Sequence, residues 1–135
     1  MNEDLQVKIV RFKSGEDIIC FCYEDYKNKR ILIQYPNSFY FDIDTEHDIH
    51  ELYLTDWMTK EAFAYQTIYI PSDEILFTSM ANVKFGYKYL YKVFNELDES
   101  TELSKRIKKT LEDILTDLNE SEIDLGEVNS NQTFH

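Results

Sequence analysis

The stretch VKIVRFKSGEDIICFCYEDYKNKRILIQYPNSFYF, from Val7 to Phe41, decides the fold. Val7, Ile9 and Arg11 fall on one face of an extended segment and Lys8, Val10 and Phe12 on the other, the period of two that a strand imposes. Lys13-Ser14-Gly15-Glu16 reads as a turn in which Gly15 supplies the positive φ of a tight hairpin. Ile18 to Tyr23 is apolar at every position: Ile18, Cys20 and Cys22 point one way, Ile19, Phe21 and Tyr23 the other. A strand apolar on both faces is covered on both. A chain of 135 residues has one core for one face, so the second face needs its own C-terminal helices or another subunit.

A third strand begins at Arg30 and continues past Pro36-Asn37 through Phe39-Tyr40-Phe41. Proline in sheets is confined to edges, bulges and bends, so this strand is predicted to bend sharply there and to serve both sides of a small barrel. The acidic loop DIDTEHDIHE, residues 42–51, follows. Further strands are predicted at Leu52–Met58, Phe63–Ile70 and Ile75–Met80, with Pro71-Ser72-Asp73 as a tight turn. The period then changes. Val83, Tyr87, Leu90, Tyr91, Phe94 and Leu97 predict a helix over 83–97. Leu103, Ile107, Leu111, Ile114 and Leu118 predict a second over 101–119, with Ser100 as its N-cap. The fold class is therefore mainly β with C-terminal helices: a barrel over 1–82, a helical extension over 83–119 and an acidic, frayed tail over 120–135.

Hydrophobic content of 43% with 15% aromatic excludes global disorder. The net charge of −12 is distributed as −8 over 1–82, zero over 83–119 and −4 over 120–135. An acidic barrel repels phosphate backbones and sets general nucleic-acid binding at a disadvantage. No apolar run approaches the roughly 20 residues of a membrane span, and Met1-Asn2-Glu3-Asp4-Leu5 has no signal-peptide core. Cys20 and Cys22, two apart on one strand, read as free thiols that serve as small core hydrophobes in a cytoplasmic protein.

Five or six short strands, a glycine turn between the first two and a bent third resemble the Sm-like barrel. VKIVRFKSGEDII, residues 7–19, is similar to the opening of Sm-like proteins encoded by tailed phages, particularly those of marine cyanobacteria. Leu54-Thr55-Asp56-Trp57-Met58, Ile75-Leu76-Phe77 and the Tyr-rich helix after them match the same group, so the resemblance covers roughly residues 7–97. It implies a five-stranded barrel and a homo-oligomeric ring of about five to seven subunits joined at their edge strands. A ring would cover the second apolar face and remove exposed sheet edges. A phage origin would place the protein in the host cytoplasm, with a phage or host protein as a further partner.

The resemblance also implies an RNA pocket. Sm proteins use an acidic residue, an aromatic two on and an Asn four on. Glu24-Asp25-Tyr26-Lys27-Asn28 has that spacing, with Glu for the usual Asp. Tyr26 would stack a base, Asn28 would read its edge, and Lys27, Lys29 and Arg30 would meet phosphates of single-stranded RNA. The second half of that pocket is an Arg-Gly pair, and here the corresponding turn is Pro71-Ser72-Asp73-Glu74, without a cation. Read without the family, Tyr26 and Asn28 are ordinary turn residues. His47 and His50 with Glu46, Asp48 and Glu51 form an H-x-x-H cluster whose spacing suits neither one helix face nor one strand face. They define a weaker alternative, a small metal-dependent enzyme. No Ser or Cys sits in a nucleophile setting. The leading expectation is a non-enzymatic, ring-forming interaction module without a cofactor.

Overall fold

The computed structural model describes residues 5–46 and 49–120. Residues 121–135 of the expected tail, and His47 and Asp48 of the H-x-x-H cluster, lie outside the described residues, while Glu120 ends a helix. Six strands come first: β1 (Val7–Phe12), β2 (Asp17–Asp25), β3 (Arg30–Asp44), β4 (Ile49–Asp56), β5 (Thr67–Pro71) and β6 (Ile75–Met80), with a 3-10 turn over Ser72–Glu74. Two helices follow, α1 (Val83–Glu96) and α2 (Glu102–Glu120). The chain divides into two compact units between Ala81 and Asn82.

The strands form one antiparallel sheet in the order β4-β3-β2-β1-β6, with β5 beside β3. Gly15 turns β1 into β2 at φ 94°, and its N–H donates to Phe12 O at 2.8 Å. A Cβ at Gly15 would meet no atom, so the φ alone calls for glycine there.

Strand β3 carries the bend that its proline predicts. Tyr35 adopts a φ of 50°, in the left-handed region, and the register to β2 slips between Ile19↔Asn37 and Phe21↔Gln34. Before the bend, residues 30–34 pair with β5. After it, residues 37–44 pair with β4. The bend is held on both sides: Tyr35 N–H donates to Gln66 O at 2.7 Å, and Trp57 N–H donates to Pro36 O at 3.0 Å.

Register explains the core. Val10 and Phe12, then Ile18, Cys20 and Cys22, then Ile31 and Ile33 share one face and pack together. Trp57, Ile68, Ile70 and Ile75 close around them. Phe12 stacks on Trp57 with centroids 5.5 Å apart, and the indole N–H donates to Glu16 Oε2 at 3.1 Å. Both thiols are free and buried. A hydrogen bond with Cys22, then burial, pushes the Cys20 thiol well above its usual range, so it stays protonated and inert.

Three expectations are corrected. The barrel is not five-stranded and closed: among the described residues there are six strands, and β5 and β6 do not pair with each other. No strand starts at Phe63. Ala62 and Phe63 donate their N–H groups to Thr59 O in a turn, and the extended segment begins only at Thr67. Finally, the second face of β2 gives no independent reason for a neighbour. Ile18, Ile19, Cys20, Phe21 and Cys22 are each 0% exposed within one chain.

In the helical unit, Asn82 caps α1, its side chain accepting from Lys84 N–H at 2.9 Å. The buried arc of α1 is shifted from its predicted stripe: Gly86, Tyr89 and Val93 join Tyr87 and Leu90, while Val83 and Tyr91 are exposed. In α2, Ile107, Leu111 and Leu118 are buried as the period requires. The side-chain cap of α2 is Thr101, whose Oγ1 accepts from Ser104 N–H at 3.2 Å. Ser100 instead bonds to Asp98.

Candidate functional site

The β2–β3 turn places Tyr26, Lys27, Asn28 and Lys29 at one mouth of the sheet unit, with Arg30 opening β3. Lys29 takes a φ of 52°, and its carbonyl accepts from Ser72 N–H at 2.9 Å. That bond fastens the turn to the segment after β5. The two turns are therefore adjacent: Tyr26 and Lys29 line one cleft with Pro71, Ser72 and Asp73. A second cleft of about 270 Å³ is lined by Tyr26 and Arg30 together with Ser72, Ile75 and Phe77, beside the start of β6.

Electrostatics divide the five expected residues. Asp25 anchors the turn: it accepts from Asn28 Nδ2 at 2.9 Å and from Arg30 Nε at 3.0 Å. Those bonds, Asn28 first, hold its carboxyl below the usual range. Arg30 also lies with its guanidinium 3.7 Å from the Tyr69 ring centroid. Asn28 and Arg30 thus act on their own turn. Tyr26 is 80% exposed, and a side-chain hydrogen bond to Glu24, reinforced by its charge, raises the phenol's pKa. Lys27 and Lys29 are exposed. The mouth offers one open ring and two exposed ammonium groups, set among Glu24, Asp25 and Asp73.

Among the described residues, no group of three or more His, Cys, Asp or Glu is placed to hold a metal ion. Also among them, no helix is long and apolar enough to cross a membrane.

Sequence reading missed the seam formed by the open edges of β5 and β6. Among the described residues, β5 pairs only with β3 and β6 only with β1, so each, like the end strand β4, turns an outer edge away from the sheet. Large side chains stand open on these two strands: Tyr69 is 48% exposed, Leu76 58% and Met80 62%. Phe77 is open as well, and the Arg11 guanidinium sits 5.1 Å from its ring centroid, itself held by Asp17 at 2.7 Å. The signal was present in the sequence, since YIPSDEILF puts apolar residues at both ends of a turn too short and acidic to cover them. No family model matches the chain, and no curated protein matches it.

Proposed function

We propose that this chain is a non-catalytic assembly module whose copies join edge to edge, the outer edge of β5 in one copy pairing with that of β6 in the next, to close an Sm-like ring. The observation that carries this reading is the open seam. Among the described residues β4, β5 and β6 each keep one unpaired edge, and of these β5 and β6 expose Tyr69, Leu76, Phe77 and Met80. Exposed edges are normally blunted by charge, proline or cover. Here β6 reads Ile-Leu-Phe-Thr-Ser-Met, with none of these among its own residues. Pairing would satisfy the outward N–H and C=O groups and bury the open side chains in one step.

Light scattering over a concentration series tests it. A discrete mass several times the 16.2 kDa of one chain is expected, and a monomer at tens of micromolar overturns it. A second reading, single-stranded RNA binding, is favoured by the open Tyr26 ring beside Lys29 at the mouth. It expects oligo-U binding at low salt that Tyr26→Ala removes. Absence of binding at about 50 mM salt ends it.

A further inference from the structure

The hairpin of β3 and β4 carries a surface unrelated to the seam. Between Arg30 and Lys60 the sequence contains no Lys or Arg and six carboxylates: Asp42, Asp44, Glu46, Asp48, Glu51 and Asp56. The register sets Tyr40 opposite Tyr53 and Asp42 opposite Glu51. Strand alternation places all four on one face of the hairpin. Tyr40 is 61% exposed and Tyr53 40%. Their rings lie 5.9 Å apart at an angle of 32°, and the Tyr53 hydroxyl donates to Glu51 Oε2. That bond, with the nearby charges of Glu51 and Asp42, raises the Tyr53 pKa.

Two features of this face go against folding on its own. Like charges directly opposite each other in an antiparallel pair destabilise it. Two tyrosine rings stay open to water, and a second exposed apolar pair, Phe41 and Ile43, lies on the hairpin's reverse side. A cationic partner would offset both. A guanidinium or ammonium group between Asp42 and Glu51 neutralises the facing carboxylates through charge-assisted hydrogen bonds. The neighbouring side chain of the same partner then lies on the Tyr40 and Tyr53 rings, as a cation over a ring or as an alkyl stem along it. Nucleic acid is repelled by the same charges.

We infer that the Tyr40–Asp42–Glu51–Tyr53 face docks an arginine- and lysine-rich protein segment. Arginine suits the site better than lysine, because its planar fork addresses two carboxylates and stacks on a ring at once. The inference does not rest on the assembly reading, since none of these four residues belongs to β5 or β6.

The test uses the full chain and fluorescein-labelled octa-arginine, followed by anisotropy at about 50 mM salt. Two double variants remove the same charge. Asp42→Asn with Glu51→Gln alters the proposed face, and Glu61→Gln with Glu99→Gln alters exposed carboxylates elsewhere. The first pair is expected to weaken binding about tenfold or more, the second less than about twofold. Tyr40→Leu with Tyr53→Leu, which leaves the charge unchanged, is expected to weaken it several-fold. Equal losses from the two charge variants would reduce the effect to net charge and overturn the inference. So would no binding by the unmodified chain, or preference for oligo-U over octa-arginine at this face. The chain has a basic run of its own, Lys105-Arg106-Ile107-Lys108-Lys109. If Asp42→Asn with Glu51→Gln dissolves an assembly of the chain while octa-arginine does not bind, the occupant is a second copy and the foreign segment is ruled out.

Discussion

Two neighbouring residues on β6 are expected to respond to proline in opposite ways. Ala81 donates its N–H to Val7 O, and the register from there runs Met80↔Lys8, Ser79↔Ile9, Thr78↔Val10. In an antiparallel ladder the bonded pairs recur at every second residue. Ser79 N–H therefore points inward to β1, whereas Thr78 and Met80 direct their N–H groups to the outer edge. Thr78→Pro takes away an outward donor and leaves the β1 ladder intact, a setting in which an edge strand tolerates proline. If β6 pairs with β5 of another copy, each interface loses one hydrogen bond, about 1 kcal/mol net, and strands a buried carbonyl, about 1–3 kcal/mol. A loss of about 2–4 kcal/mol per interface corresponds to roughly 30- to 1,000-fold in association. Ser79→Pro instead breaks the ladder to Ile9 within the chain and costs about 1–3 kcal/mol of folding stability. Sedimentation velocity at matched concentrations separates mass from folding, and thermal melting by circular dichroism reads stability. The expected pattern is a Thr78→Pro chain of smaller mass and nearly unchanged melting, and a Ser79→Pro chain that melts early. Unchanged mass for Thr78→Pro, beside an oligomeric parent, would refute edge pairing through β6.

Asp17, held by Arg11, has its carboxyl pKa below the ordinary 3.8. A depressed folded-state pKa gives stability that is full above the unfolded value and drains away as pH falls through the folded one. Asp17→Asn should therefore flatten the acid limb of a stability curve below about pH 4 and leave its shape near neutrality unchanged, as read by urea titration at several pH values. Phe12→Ala removes the ring stacked on Trp57 and should cost about 3–5 kcal/mol. Trp57 is the chain's only tryptophan, so its fluorescence during denaturant unfolding reports this loss directly. A cost below about 1 kcal/mol would place Phe12 outside the core.

Local rules carried much of the fold. Gly15 could be read as a hairpin turn because few residues other than glycine take its φ. Pro36 could be read as a bend because an interior strand accepts proline only at a bulge or bend. Leu111 and Leu118 could be read as a buried stripe because the helical period leaves them one face. Where the reading failed, a particular hydrogen-bond partner that residue type and spacing do not announce had decided the outcome. Phe63-Ala64-Tyr65-Gln66 alternates like a strand, yet Thr59 captures the N–H of Phe63 and Gln66 donates its side-chain N–H to Met58 O, so no ladder forms there. Ser100 and Thr101 are equivalent as caps by residue type, and Asp98 decides between them by engaging Ser100. At the mouth, spacing brought Tyr26 and Asn28 forward as a pair. Only the coordinates show that Asn28 is occupied by Asp25 while Tyr26 stays open. The seam depends on which strands fail to pair, a property of the whole sheet that no short window of residues contains.

Strand β3 is a member of three ladders, with β2, β4 and β5. Dislodging it would leave β2, β1 and β6 together and strip β4 and β5 of the strand that each pairs with. Its amides should consequently be the slowest in the sheet to swap deuterium for hydrogen, and those on either side of Tyr35 should do so at one common rate. Pulled apart by force, this sheet would give way in a single rip rather than strand by strand.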